Sequence, residues 1–268
     1  MRKILIAAAL WTAAFGVCAA AGLTFKDMIP ARGDKQVYSV TENTAMEFEG
    51  VGVRMESSSV GTSSSICAAV SGRDAVSYIM LTTRTMKTKR TPGGEETTSS
   101  YSLDFCRAVP EGLFSDVNFQ IENGEDRSVD VGNAIMELKF PCVPGAVWRV
   151  GSLKFKDGFV MRPVSRAEGF EAVDTPAGRF ENCLKVISEC PNGIEGSVEQ
   201  GGNLLEIIRS RCEYITWYYP VVGIVKEVSR TEMSLRPRDL PGAAVLNMIT
   251  TSTTVLTEHK ESPRPASK

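Results

Sequence analysis

Arg179-Phe-Glu-Asn-Cys-Leu-Lys-Val-Ile-Ser-Glu-Cys190 and Leu204-Leu-Glu-Ile-Ile-Arg-Ser-Arg-Cys-Glu-Tyr-Ile-Thr-Trp-Tyr-Tyr219 flank Pro191–Asn203, a stretch rich in Gly, Asn and Glu. β-Branched and aromatic residues recur through both flanks, and the gap between them is loop-like in composition, so the pair predicts two long antiparallel strands. A reversal near 197–198 places Cys183 opposite Cys212. Directly opposed residues come within the roughly 5.5 Å that a disulfide needs, so this pair is the expected bridge. Cys183 and Cys190 cannot bond to each other within one extended strand.

The same pattern extends outward in both directions. Val37–Thr41, Val51–Met55, Ile66–Val70 and Val76–Thr82 read as strands, as does the alternation of Tyr101, Leu103 and Phe105 with Ser102 and Asp104. Ile135–Phe140 is a short apolar strand stopped by Pro141, and Arg166–Asp174 runs into the turn Thr175-Pro-Ala-Gly178. After Tyr219, Pro220 and Gly223 punctuate a tight connection into Ile224–Met233, and Leu246–Glu258 forms a last strand. Helical periodicity with caps is scarce. The expected fold is therefore mainly β, a curved antiparallel sheet of half-barrel or barrel-like form with few helices. Residues 22–258 are expected to form a single β domain, with two sub-halves meeting near 125–135, and 259–268 a disordered tail.

The N-terminus carries a different signal. Met1-Arg-Lys3 precedes an apolar run, Ile4–Val17, and the small residues Ala19-Ala-Ala21. This is the three-part layout of a secretory signal peptide over residues 1–21, and the run is shorter than a membrane span requires. Cys18 follows Val17, where a lipoprotein signal carries Gly or Ala, so lipidation is not expected. The chain reads as exported, periplasmic or outer-membrane-associated. Losing Arg2 and Lys3 takes the net charge from −2 to −4, and no basic face for nucleic acid is present.

Seven cysteines fall to six without Cys18, an even number that suits an oxidising compartment. No Cys-x-x-Cys is present and His259 is the single histidine, so neither a metal nor a cofactor is expected. Hydrolase triads need a positioned imidazole, which His259 near the C-terminus is poorly placed to give. Glu168 and Asp174 would share a strand face, but exposed strand carboxylates are common. No catalytic residue is assigned.

Three stretches carry a family resemblance. Lys139-Phe-Pro-Cys-Val-Pro-Gly-Ala-Val-Trp148, Glu171-Ala-Val-Asp-Thr-Pro-Ala-Gly-Arg-Phe-Glu-Asn-Cys-Leu-Lys-Val186 and Trp217-Tyr-Tyr-Pro-Val-Val-Gly-Ile-Val-Lys226 resemble, in order and spacing, the TapB-like bacterial envelope proteins grouped with LolA-like β half-barrels. The resemblance covers roughly 137–228. Val221 departs from it, standing where the family carries Gly; a positive φ is unfavourable for Val, which predicts a turn at Val222-Gly223 instead. The resemblance implies a fold and an envelope compartment, with no catalytic residues to carry over. A curved sheet of this kind holds ligands on its concave side; Trp148 and Trp217 read first as core residues, and Trp148, Phe180, Trp217 and Tyr219 are the candidates to line such a cavity. The expected partner is a lipid or other apolar ligand, or an envelope protein segment; a structural role in a surface or secretion complex is the alternative.

Overall fold

A computed structural model describes residues 22–126, 128–130, 134–156, 158–200, 203–240 and 242–262. The expected signal peptide and the end of the expected tail, 263–268, lie outside the described residues. The strands are β1 (Lys35–Phe48), β2 (Arg54–Ser71), β3 (Val76–Thr91), β4 (Glu95–Val109), β5 (Gly112–Glu122), β6 (Glu125–Asp126), β7 (Val129–Asp130), β8 (Ile135–Lys139), β9 (Val147–Arg149), β10 (Leu153–Phe155), β11 (Phe159–Met161), β12 (Val164–Thr175), β13 (Gly178–Glu189), β14 (Ile194–Gln200), β15 (Asn203–Tyr219), β16 (Gly223–Pro237) and β17 (Leu246–Lys260). All their pairings are antiparallel. Among the described residues, the helical element is one 3-10 turn, Phe25–Met28.

The sheet closes into a 12-strand barrel. Strands β1 to β5 follow one another around the wall, β15 to β17 do the same, and β17 pairs with β1 along its length. Two tiers bridge the remaining gap between β5 and β15. At one end β8, β9, β12 and β13 complete the ring, with Met136 N–H donating to Val150 O (2.7 Å) between β8 and β9. At the other end β7, β10, β11 and β14 complete it. Near 125–135, where two sub-halves are expected to meet, β5 pairs directly with both β7 and β8.

Barrels of about eight strands are filled by their own side chains, and wider ones leave space. Residues 22–34 close this one at the β8–β9 end. Leu23 bridges Cys142, Val221 N–H donates to Asp27 O (2.6 Å), and Gly33 N–H donates to Cys67 O (2.7 Å). Met28 enters the main core with Tyr78, Leu113, Leu138, Trp148, Leu184 and Tyr218. Asp34 pins this strap: its buried carboxylate accepts from Ala31 N–H (2.6 Å) and Ser262 N–H (2.8 Å), joining the two ends of the described chain. Strand β17 continues two residues beyond the expected boundary, because His259 and Lys260 pair with Gln36 and Lys35.

Two expectations are corrected. The bridge is Cys190–Cys212, with Cα atoms 5.6 Å apart, and Cys183 is a buried free thiol. Residues 194–200 are themselves a strand, so the chain reverses between Gln200 and Asn203, not near 197–198. That shift sets Glu189 against Glu213 and brings Cys190, instead of Cys183, to Cys212. Val221 does take a positive φ (69°), as does Gly223 (83°). Its hydrogen bond to Asp27 and the burial of Val222 hold the turn in a conformation that Val alone disfavours.

Cys67, Cys106, Cys142 and Cys183 are all buried, and burial pushes each thiol above its ordinary range. Without reductant, the folded protein should therefore resist a thiol reagent at pH 8 and take up four labels after denaturation. Six labels after denaturation would show that the Cys190–Cys212 bridge is missing.

Candidate functional site: the barrel lumen

A cavity of about 240 Å³ lies inside the closed end of the barrel. The strap gives it Met28, β1 gives Gln36 and Tyr38, and β3 gives Tyr78 and Met80. Asp104 and Cys106 come from β4, Glu137 from β8, Tyr218 from β15, and Val222 to Ile224 from the β15–β16 turn. The strand period of two explains which side chains arrive: Tyr78, Met80 and Thr82 alternate with Ser77, Ile79 and Leu81, and only the first set faces inward.

Glu137 arrives by a break in that period. Leu113 pairs with Leu138 but Phe114 pairs with Met136, so Glu137 is the extra residue of a β-bulge. Bulges re-aim side chains, and this one turns a carboxylate into the cavity. Burial, then the charges of Asp104 and Glu227, push its carboxyl up to about 7. Burial also raises Asp104, against hydrogen bonds from Asn118 and Ser102. Glu227 is likewise raised by burial, opposed by a hydrogen bond from Thr216 (3.2 Å) and the charge of Arg84.

The polar side chains around the cavity are mostly committed to the wall. Gln36 donates to Val222 O (3.1 Å), Tyr38 donates to Ile224 O (3.1 Å), and Ser65 pairs with Thr82 (2.8 Å). Farther along the lumen lies a second space of about 460 Å³, more polar, with Glu42, Arg84, Arg90, Glu96 and Gln120 in its wall. Arg90 pairs with Glu96, and Arg84 lies 3.7 Å from Glu42.

The four residues expected to line a cavity lie elsewhere. Trp148 is packed in the core, its indole donating to Met136 O (3.2 Å). Trp217, Phe180 and Tyr219 belong to a separate cluster with Val173 and Leu256. There Phe180 and Tyr219 meet edge to face at 5.1 Å, and the Trp217 indole donates to Glu171 (2.5 Å). Lys185 and Lys226 cover the Trp217 ring. Trp217 and Tyr219 do alternate with Tyr218, but Tyr218 is the one that faces the lumen. Glu168 and Asp174 are both exposed, on a strand that bulges at 167–169 and 171–173. No group of side chains spaced to hold a metal is present among the described residues.

The residues missed from sequence are Glu137, Asp104, Glu227, Tyr38 and Tyr78. Asp104 carried a signal: it sits between Leu103 and Phe105, and the face of that strand with Ser102 and Asp104 is the inner one.

No family model matches the chain, and no curated protein matches it in sequence. Three solved structures overlap it loosely. A Bacteroides fragilis protein described as exported with a YmcC-like fold has 13% identity and a TM-score of 0.36, over 87% of this chain and 98% of its own. Pseudomonas aeruginosa OpdQ has 6% identity and a TM-score of 0.31, over 84% and 99%. The β domain of the Bordetella autotransporter BrkA has 8% identity and a TM-score of 0.27, over 82% and 98%. Overlaps of this size say nothing about what the lumen binds.

Glu137 gives the site a pH signature. A carboxyl held near 7 in the folded chain, against an ordinary 4.5, favours folding below about pH 4.5 and loses that contribution as pH rises through 7. Glu137→Gln should therefore raise stability at pH 8 by about 3 kcal/mol and leave it little changed at pH 4.5, measured by urea unfolding at the two values. Equal effects at both pH values would show that Glu137 is not held in a raised state.

Proposed function

We propose that this protein is an exported envelope protein that binds a ligand without transforming it, holding an apolar or amphiphilic molecule inside the barrel. The observation that carries the reading is the lumen cavity, capped by the strap and walled by Met28, Met80, Leu113 and three tyrosines. Wide barrels hold ligands in this way. Export rests on the leader-like residues 1–21 and is consistent with the Cys190–Cys212 bridge, since disulfides persist in oxidising compartments. The wall does not read as lipid-facing all round. Arg211, Glu213, Arg230 and Glu232 cluster on the outer face of β15 and β16, and charges at such positions are costly in a bilayer.

A second reading is an interaction component of an envelope complex. Attachment through a free strand edge loses support from ring closure, which pairs β1 with β17. An exposed apolar row favours attachment through a face instead. Ile66, Leu81 and Phe119 are exposed and joined across β2 to β5 through the half-buried Leu103, with Tyr101 (61% exposed) and Ile121 beside them.

Native mass spectrometry of the protein purified from a periplasmic extract separates the two. The binding reading expects an added mass of a few hundred daltons that is lost on denaturation. A bare mass, together with a partner captured by cross-linking through the β2–β5 face, would overturn it in favour of the second.

A further inference from the structure

The cavity has an imbalance that specifies the chemistry of what fills it. Several of its donors are spent on the wall: Gln36 on Val222 O, Tyr38 on Ile224 O, Ser65 and Thr82 on each other. Its acceptors are not all met. The Glu137 carboxylate has no hydrogen-bond donor or cation in contact with it among the described residues, although the bulge aims it into the space. The Oδ1 of Asn118, buried beside Asp104, also lacks a donor. The rings of Tyr38, Tyr78 and Tyr218 line the same cavity as Glu137, the last two over nine-tenths buried. The charged groups that bear on Glu137 are Asp104 and Glu227, both carboxylates; Arg84, in the lumen wall, is placed toward Glu227 and Glu42.

Carboxylates without donors, enclosed by aromatic faces, attract cations, through charge-assisted hydrogen bonds and through the negative faces of the rings. The apolar side chains Met28, Met80, Leu113 and Ile224 complete the wall and suit a short hydrocarbon. At about 240 Å³ the space is below the roughly 300–1,000 Å³ of pockets for drug-sized molecules. A metal ion is a poor fit, because no group of side chains is spaced to ligate one among the described residues.

We propose that the lumen site takes a small organic amine, its ammonium group on Glu137 between the tyrosine rings and its short apolar tail against Met28, Met80 and Leu113. This rests on the reading of the lumen as a ligand site and names the ligand class. It also gives Glu137 a role that its cost to stability at neutral pH does not explain, since an ammonium group supplies the missing counter-charge.

The test uses three probes with one six-carbon tail: hexylammonium, hexan-1-ol and hexanoate, titrated calorimetrically into the mature protein at pH 8. The expected order is hexylammonium tightest, roughly 10- to 100-fold over hexanol, as one charge-assisted hydrogen bond implies, with hexanoate weakest. Glu137→Gln should remove the preference for hexylammonium over hexanol, with a cooperative urea-unfolding transition at least as stable as that of the unaltered protein reporting that the variant is folded. If hexylammonium and hexanol bind equally to the unaltered protein, the amine assignment fails and the lumen reading stands. If none of the three binds, both fail.

Discussion

The pairing of β1 with β17 is the constraint on which everything else depends. From Lys35 opposite Lys260 to Phe48 opposite Leu246 it joins the first strand of the chain to the last. It turns a curved sheet into a ring. A ring of this strand number encloses more space than its inward side chains fill, so the closed end needs additional chain to seal it. The strap does this, and the Asp34 carboxylate ties the strap to Ser262, two residues beyond β17. Closure, plug and cavity are thus consequences of one pairing between the termini.

Within that ring, local irregularities decide what the cavity is made of. A regular strand would send Glu137 to the face opposite Leu138; the bulge against Leu113 and Phe114 turns it inward. The β15–β16 turn likewise departs from regularity at Val221, where the positive φ is held by Asp27 of the strap, and Val222 and Gly223 border the same space. One bulge and one positive-φ valine thus set the lining of this cavity, as local irregularities re-aim side chains. Burial raises the carboxyls of Glu137, Asp104 and Glu227, and the charges of the last two raise Glu137 further, which is a cost to stability that packing elsewhere offsets.

Much of this fold was legible in the residues. The strand–loop–strand pattern of 179–219, the turn at Thr175–Gly178 and the alternation in β3 all follow from period-two patterning and turn chemistry. What failed was what depends on distant pairing. The reversal at 200–203 hinged on β14 becoming a strand, and β14 is held by β11 as well as β15; without that knowledge Cys183 looked like the partner of Cys212. Alternation distinguished Tyr218 from Trp217 and Asp104 from Leu103, but it could not tell which face was inner. In this barrel the inner face is partly polar, and Leu103 and Phe119 lie in an outward row, so the rule that apolar means inside misleads. Glu137 had no local signature, because its bulge is created by β5. The resemblance to half-barrels led to the right class of curved sheet, while the closure itself came from the pairing of the ends.

Native-state hydrogen exchange across β1 and β17 tests the closure most directly. If these strands seal the ring, the amides that bond between 36–47 and 247–259 should exchange only through global unfolding, as slowly as those of β3 and β4. Rapid exchange along β1 and β17, with β3 and β4 still protected, would mean that the sheet is open at that seam and that no enclosed lumen exists.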